Sequence, residues 1–185
     1  MARAAIFFAN GLEECEGLVT VDILRRAGVE VDIAAVGSNL TITSSHKVVI
    51  TCDALATDLD PANYDAAILP GGLPGTDYLE ASASVRNFCC AMDEAGKLVC
   101  AICAAPGALA SFGILEGNRA SVYPGREHTL ERGGATYTGE PVTIDGNHIT
   151  GEALGAVIPF ALEVAAALVG REKSDQIRDA IVYKG

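Results

Sequence analysis

Three runs of the chain, RAAIFFA (3–9), YDAAILPGG (64–72) and KLVCAI (97–102), are apolar almost without interruption, with none of the alternation of a half-exposed strand. A strand that is apolar on both sides has to be covered on both faces, which is the condition of an interior strand in a parallel sheet. The segments between them have helical spacing. EECEGLVTVDILRRAG (13–28) closes on basic residues and Gly28, a C-terminal stop, and VEVDIAAV (29–36) returns as a strand. These form a βαβ unit with a right-handed crossover. TITSSHKVVITCDA (41–54) reads as a hairpin excursion around a polar SSH turn. A helical region is predicted from about Thr76 to Ala95, and a helix over APGALASFGIL (105–115) follows the third apolar run. A short strand RASVY (119–123) and a hairpin VTIDGNHIT (142–150), turning at Asp145-Gly146, come next. A long helix over 153–170, kinked or begun by Pro159, and a terminal amphipathic helix over 171–183 complete the pattern. The alternation specifies an α/β fold, an open and mostly parallel sheet with helices on both faces.

With 185 residues and no Ser/Gly-rich or Pro-rich linker, the chain is expected to form one domain over 1–185. Its formal charge of -11 argues against a nucleic-acid backbone or an anionic membrane surface as partner, since both are met by Lys and Arg. The start, MARAAIFFANGLEE, is too short in its apolar run for a secretion signal. The uncharged stretch 98–115 has the length of a membrane span, but Pro106, Gly107 and Gly113 interrupt it, so a buried strand followed by a buried helix is the reading. A cytoplasmic location is expected. Six cysteines in a chain of this size point to reduced thiols rather than a disulfide framework. Cys100 and Cys103 spell C-x-x-C, but with Cys100 inside a strand the two side chains should leave opposite faces, roughly 10 Å apart at their Cα atoms. His46, His128 and His148 have no metal-ligand spacing to the cysteines, so no metal is expected.

In open α/β sheets ligands bind beyond the carboxyl ends of the strands. Asn10, Gly71 and Gly72, Cys103, and Tyr123 all fall there, each after a different strand. Around Cys103 the sequence Ala101-Ile102-Cys103-Ala104-Ala105 keeps the flanking positions small, as a nucleophile elbow requires when its central residue takes a strained conformation. A helix following the elbow would aim N–H groups at the sulfur and lower its pKa. The amides of Gly72 and Ala104 could then form an oxyanion hole. Glu13, Glu14 and Glu16 open the first helix. One of them, turned inward beside Cys103, would be desolvated and serve as proton donor or base; periodicity does not say which.

GLEECEGLVTVDILRRAG, YDAAILPGG, CAICAAPGAL and VIPFALEVAAALVGRE together resemble, over nearly the full chain, the ThiJ/PfpI superfamily, and within it the Parkinson-associated deglycase group with its ThiJ-type bacterial relatives. The resemblance implies a single ThiJ/PfpI-type (class I glutamine amidotransferase-like) domain: a flavodoxin-like, Rossmann-like three-layer sandwich, usually a homodimer. It implies Cys103 as the elbow cysteine, its thiolate accepting a hydrogen bond from a protonated Glu16, with Gly71, Gly72 and Ala104 supplying amides. The implied activity is a cysteine-dependent, cofactor-free glyoxalase or deglycase acting on small reactive carbonyls such as methylglyoxal. The alternative is a non-enzymatic oxidative-stress sensor or chaperone that works through oxidation of the same cysteine to sulfinic acid. The chain departs from the pattern in three places. Tyr123-Pro124 stands where some members have His-Pro, which removes a Cys/His relay and leaves Tyr123 or His128 as substitutes. Ala104 stands where the protease branch has His, which disfavours proteolysis. Glu152 stands where the deglycase group tends to have Arg, which changes the charge of the pocket.

Overall fold

The computed structural model describes all 185 residues. Strand β1 (Arg3–Phe8), helix α1 (Glu14–Arg26) and strand β2 (Glu30–Ala35) open the chain, followed by short strands β3 (Thr41–Thr43), β4 (Val49–Thr51) and β5 (Ala54–Leu55). Strand β6 (Ala66–Leu69), helices α2 (Gly75–Ala81) and α3 (Ala83–Glu94), strand β7 (Leu98–Ile102) and helix α4 (Pro106–Ser111) form the centre. Then come β8 (Arg119–Ala120), α5 (Glu127–Arg132), β9 (Thr136–Tyr137), β10 (Val142–Asp145), β11 (His148–Gly151), α6 (Val157–Val169) and α7 (Arg171–Ala180).

The main sheet has seven strands in the order β10-β11-β7-β6-β1-β2-β5, and every pairing is parallel except β10 with β11. This is the flavodoxin-like α/β sandwich expected from the alternation of elements. Side-chain alternation along the interior strands feeds two separate cores. Ala4, Ile6, Phe8, Ile68, Cys100 and Ile102 pack with α1, α6 and α7 on one face; Ala5, Phe7, Leu69, Val99 and Ala101 pack with α3, α4 and α5 on the other. Small residues let helices close on the sheet: a methyl at Gly17 would lie 2.6 Å from the Phe8 ring. No helix is long and apolar enough to cross a membrane.

The structure differs from the sequence expectation at several boundaries. The helical region 76–95 breaks into α2 and α3 at Ser82, whose hydroxyl accepts from the Val85 N–H and starts the second helix. The helix after the third apolar run stops at Ser111, ahead of Gly113 with φ 84°. The long C-terminal helix starts at Val157 after a 3-10 turn over Leu154–Ala156, so Pro159 sits in its first turn, where a missing N–H costs no intrahelical bond. Helix α5 and strand β9 were not anticipated. The first hairpin, β3 with β4, forms its own two-stranded sheet, while the second joins the main sheet through β11 beside β7. At the sheet margins, β5 is two residues long, and β10 is backed by β8, with the Arg119 N–H donating to Asp145.

Candidate functional site

Cys103 follows β7 directly and has φ 65°, a left-handed conformation rare for any residue with a Cβ. Both of its backbone groups are held. Its N–H donates to the Gly151 carbonyl at 3.0 Å, and its carbonyl accepts from the Tyr123 N–H at 2.8 Å. Gly151 ends β11 and Tyr123 follows β8, so two other segments fix the elbow from either side. The alanines of the flanking sequence are buried, Ala101 and Ala105 fully. Cys103 itself is half-buried.

Glu16 is the carboxylate turned inward, with 1% of its surface exposed, whereas Glu13 and Glu14 are half-buried. Helix α1 selects it by its start. Glu13 is the N-cap, its side chain accepting from the Glu16 N–H at 2.7 Å, and its own N–H donates to the Gly71 carbonyl at 2.9 Å. The Gly71 N–H in turn donates to Glu16 Oε2 at 3.0 Å. The loop after β6 and the first turn of α1 are thereby closed into one unit. Gly71 is tight against the pair: a methyl there would lie 2.6 Å from Cys103 Cβ, 2.7 Å from Glu16 Oε2 and 3.0 Å from Cys103 Sγ.

Burial pushes the Glu16 carboxyl up to about 7, while the hydrogen bonds from Cys103 and the Gly71 N–H hold it down. Burial also pushes the Cys103 thiol up to about 12, with the Glu16 carboxylate adding to the rise and the N–H groups of Gly72 and Ala104 opposing it. This overturns the expectation of a thiol lowered by the following helix. Helix α4 is only six residues long and begins at Pro106, so burial and the neighbouring carboxylate outweigh it. The two groups therefore titrate as a pair. Between about 7 and about 12 they carry one negative charge and one proton between them. The amides are also divided differently from the expected oxyanion hole: that of Gly71 serves Glu16, and those of Gly72 and Ala104 face the sulfur.

The remaining residues separate into near and far. Tyr123 meets the elbow through its backbone, and its side chain is 49% exposed. Asn10 does not join the pair. Its side-chain oxygen accepts from the Thr43 N–H at 2.8 Å, tying β1 to the first hairpin, and it lines a separate groove of about 430 Å³ with Ser44, Lys47 and Tyr78. His128 is exposed on α5 and Glu152 is half-buried just beyond β11. All six cysteines are free thiols. Cys100 is sealed in the α1–α6 side of the core, and burial pushes its thiol up to about 12. Cys103 packs against that same side rather than the opposite one, because the left-handed elbow breaks the strand alternation. Glu13, Glu14 and His46 place metal-type donor atoms within 4.8 Å of one another, but Glu13 already caps α1 and His46 Nδ1 lies 3.0 Å from Glu14 Oε1, which accounts for the group as a cap and a His–Glu contact. Sequence reasoning missed Gly151 and the capping role of Glu13. The pattern E-x-x-E at the start of α1 carried the second; the first depends on β11 pairing with β7, a long-range contact.

Known proteins resemble the chain over nearly its whole length. The model of the DJ-1/PfpI family matches residues 2–167. The chain belongs to the DJ-1/PfpI family. It is 34% identical to the Parkinson disease protein 7 homolog of Danio rerio over 98% of this chain and 97% of that protein. It is 33% identical to Protein DJ-1 homolog A of Arabidopsis thaliana over 95% of this chain and 45% of that protein. The chain thus has less than half the length of that plant relative. Among solved structures, Drosophila melanogaster DJ-1beta superposes with a TM-score of 0.95 at 31% identity, covering 100% of this chain and 99% of the other.

Proposed function

We propose that this DJ-1/PfpI protein is a cysteine-dependent, cofactor-free enzyme that converts small reactive carbonyls, of which methylglyoxal is the simplest test. The observation that carries the reading is the meeting of Cys103 and the buried Glu16 at Gly71, where a methyl would lie 3.0 Å from Cys103 Sγ and 2.7 Å from Glu16 Oε2. The pair's single proton, held by the sulfur in the resting form, moves to Glu16 in the reacting form, and the sulfur becomes a thiolate facing the N–H groups of Gly72 and Ala104. It adds to the aldehyde carbon, the S–C bond forms, and the carbonyl π electrons move to oxygen, which takes the Glu16 proton. Glu16, now a carboxylate, removes the hydrogen from that carbon and returns it to the neighbouring ketone carbon, while the hydroxyl proton passes to the former ketone oxygen. The result is a thioester, and water hydrolyses it to lactate and the free thiol. The sequence consumes one water and needs no oxidant or reductant. Tyr123 replaces no step in this scheme; its backbone N–H braces the elbow. A homodimer in the cytoplasm is part of the same proposal.

The experiment is lactate formation from methylglyoxal by wild type, Cys103→Ser and Glu16→Gln. Turnover in wild type, lost in both variants, is expected. Equal rates in wild type and Cys103→Ser, or none above background in any, would overturn the enzyme reading.

A further inference from the structure

Cys103 holds a conformation that its own side chain disfavours, so something outside the elbow has to impose it. Its two backbone partners, Gly151 and Tyr123, lie on separate segments, and a buried cluster of hydroxyls joins those segments. Thr150, 1% exposed, accepts from the Ser121 N–H at 2.9 Å. Ser121, fully buried, is two residues before Tyr123, and Thr150 is one before Gly151. Ser121 Oγ also donates to the Glu140 carbonyl at 2.6 Å and contacts Thr143 Oγ1 at 2.7 Å. Thr143 stands opposite Thr150 in the β10–β11 ladder and shares a 2.6 Å hydroxyl contact with Thr138. Thr150 is itself paired with Ala101 in β7, the strand that ends in the elbow. It therefore touches both the strand that carries Cys103 and the segment that closes over it.

We infer that Thr150 is a positioning residue for Cys103: its hydroxyl, with Ser121 and Thr143 behind it, holds Gly151 and Tyr123 at the spacing that clamps the elbow in its left-handed conformation. The inference rests on reading Cys103 as the reactive group, but its test uses the thiol rather than carbonyl turnover. Thr150→Val keeps the shape, removes the acceptor and strands the Ser121 N–H. The elbow then relaxes and the sulfur withdraws from the N–H groups of Gly72 and Ala104.

The probe is iodoacetamide, with the rate of carbamidomethylation at Cys103 followed by peptide mapping at pH 8. Thr150→Val should slow alkylation about tenfold, the effect of one lost buried hydrogen bond on the population of the clamped state. Thr150→Ser, which restores the acceptor, should recover the wild-type rate. Ser174→Ala is the control. It loses a buried hydroxyl bond of the same kind, to the Leu162 carbonyl at 2.7 Å, far along the chain in α7, and should leave Cys103 alkylation unchanged. If Thr150→Val does not fold, Thr143→Val, which severs the link behind Ser121, takes its place. Equal rates in the folded Thr150 or Thr143 valine variant and wild type would overturn the inference, as would a Ser174→Ala protein slowed to the same degree. Absence of lactate formation in wild type, with Cys103 alkylation slowed in Thr150→Val and restored in Thr150→Ser, would count against the enzyme reading only.

Discussion

Replacing Glu16 by Gln should make the protein more stable as pH rises, and the gain can be worked out from the site. The carboxyl ionises at 4.5 ordinarily and at about 7 in the fold, because it is buried. A carboxyl whose folded value is raised contributes stability that is complete below 4.5 and is lost as pH climbs through 7, since the folded state then binds more protons than the unfolded one. At about 1.4 kcal/mol for each pH unit over that interval, the ionised carboxylate costs the fold about 3 kcal/mol. Glutamine cannot ionise, so the variant escapes the loss. The difference between Glu16→Gln and wild type should be flat below pH 4.5, grow through pH 5 and 6, and level off near pH 7.5 in favour of the variant. Urea unfolding at fixed pH values from 4 to 8.5, in the presence of a reductant, reads it as a midpoint shift of about 1 to 2 M. Staying below pH 9 keeps Cys103, ordinarily 9.0 and here about 12, out of the measurement. An offset that is the same at pH 4 and pH 8 would refute the reasoning. So would a wild type that gains on the variant as pH rises, which would mean that the site stabilises an ionised Glu16.

Gly71→Ala should abolish lactate formation, since its methyl would stand 2.6 Å from Cys103 Cβ and 2.7 Å from Glu16 Oε2, and should lower stability by about 1 to 3 kcal/mol through overpacking; activity and thermal denaturation check both. Under mild peroxide, peptide mapping should find oxidation first at Cys103 and at exposed Cys15, with Cys89 and Cys100, both fully buried, spared; oxidation spread evenly over all six would contradict the role given to burial.

The interior strands were legible because burial on both faces leaves an unbroken apolar run, as in Ala66–Leu69, where every residue is buried. The elbow was legible because its steric demand falls on neighbours, and the alanines at 101, 104 and 105 record it. The carboxylate was not legible from spacing: Glu13, Glu14 and Glu16 all suit the first turn, and the choice depends on where the helix starts and on the Gly71 N–H across the loop. Helix α5 and β9 were hidden because Glu127–Arg132 is a single polar turn and a half with only Thr129 and Leu130 buried, too short for a period to appear. The sulfur's electrostatics were misjudged for a related reason. The local pattern supplied a helix after Cys103, but the depth of burial and the approach of Glu16 are products of the assembled sheet.

The two margins of the sheet bear on whether it can recruit a further strand. Its central strands β6 and β7, AAIL and LVCAI, are short, uncharged and aliphatic, the composition that stacks into fibrils when an edge is left open. One margin ends in β5, which with two residues offers a newcomer almost no backbone to pair with, and the other is covered by β8 and its Arg119–Asp145 contact. Lengthening β5, or loosening Arg119 from Asp145, would leave the core untouched and create a template for self-association.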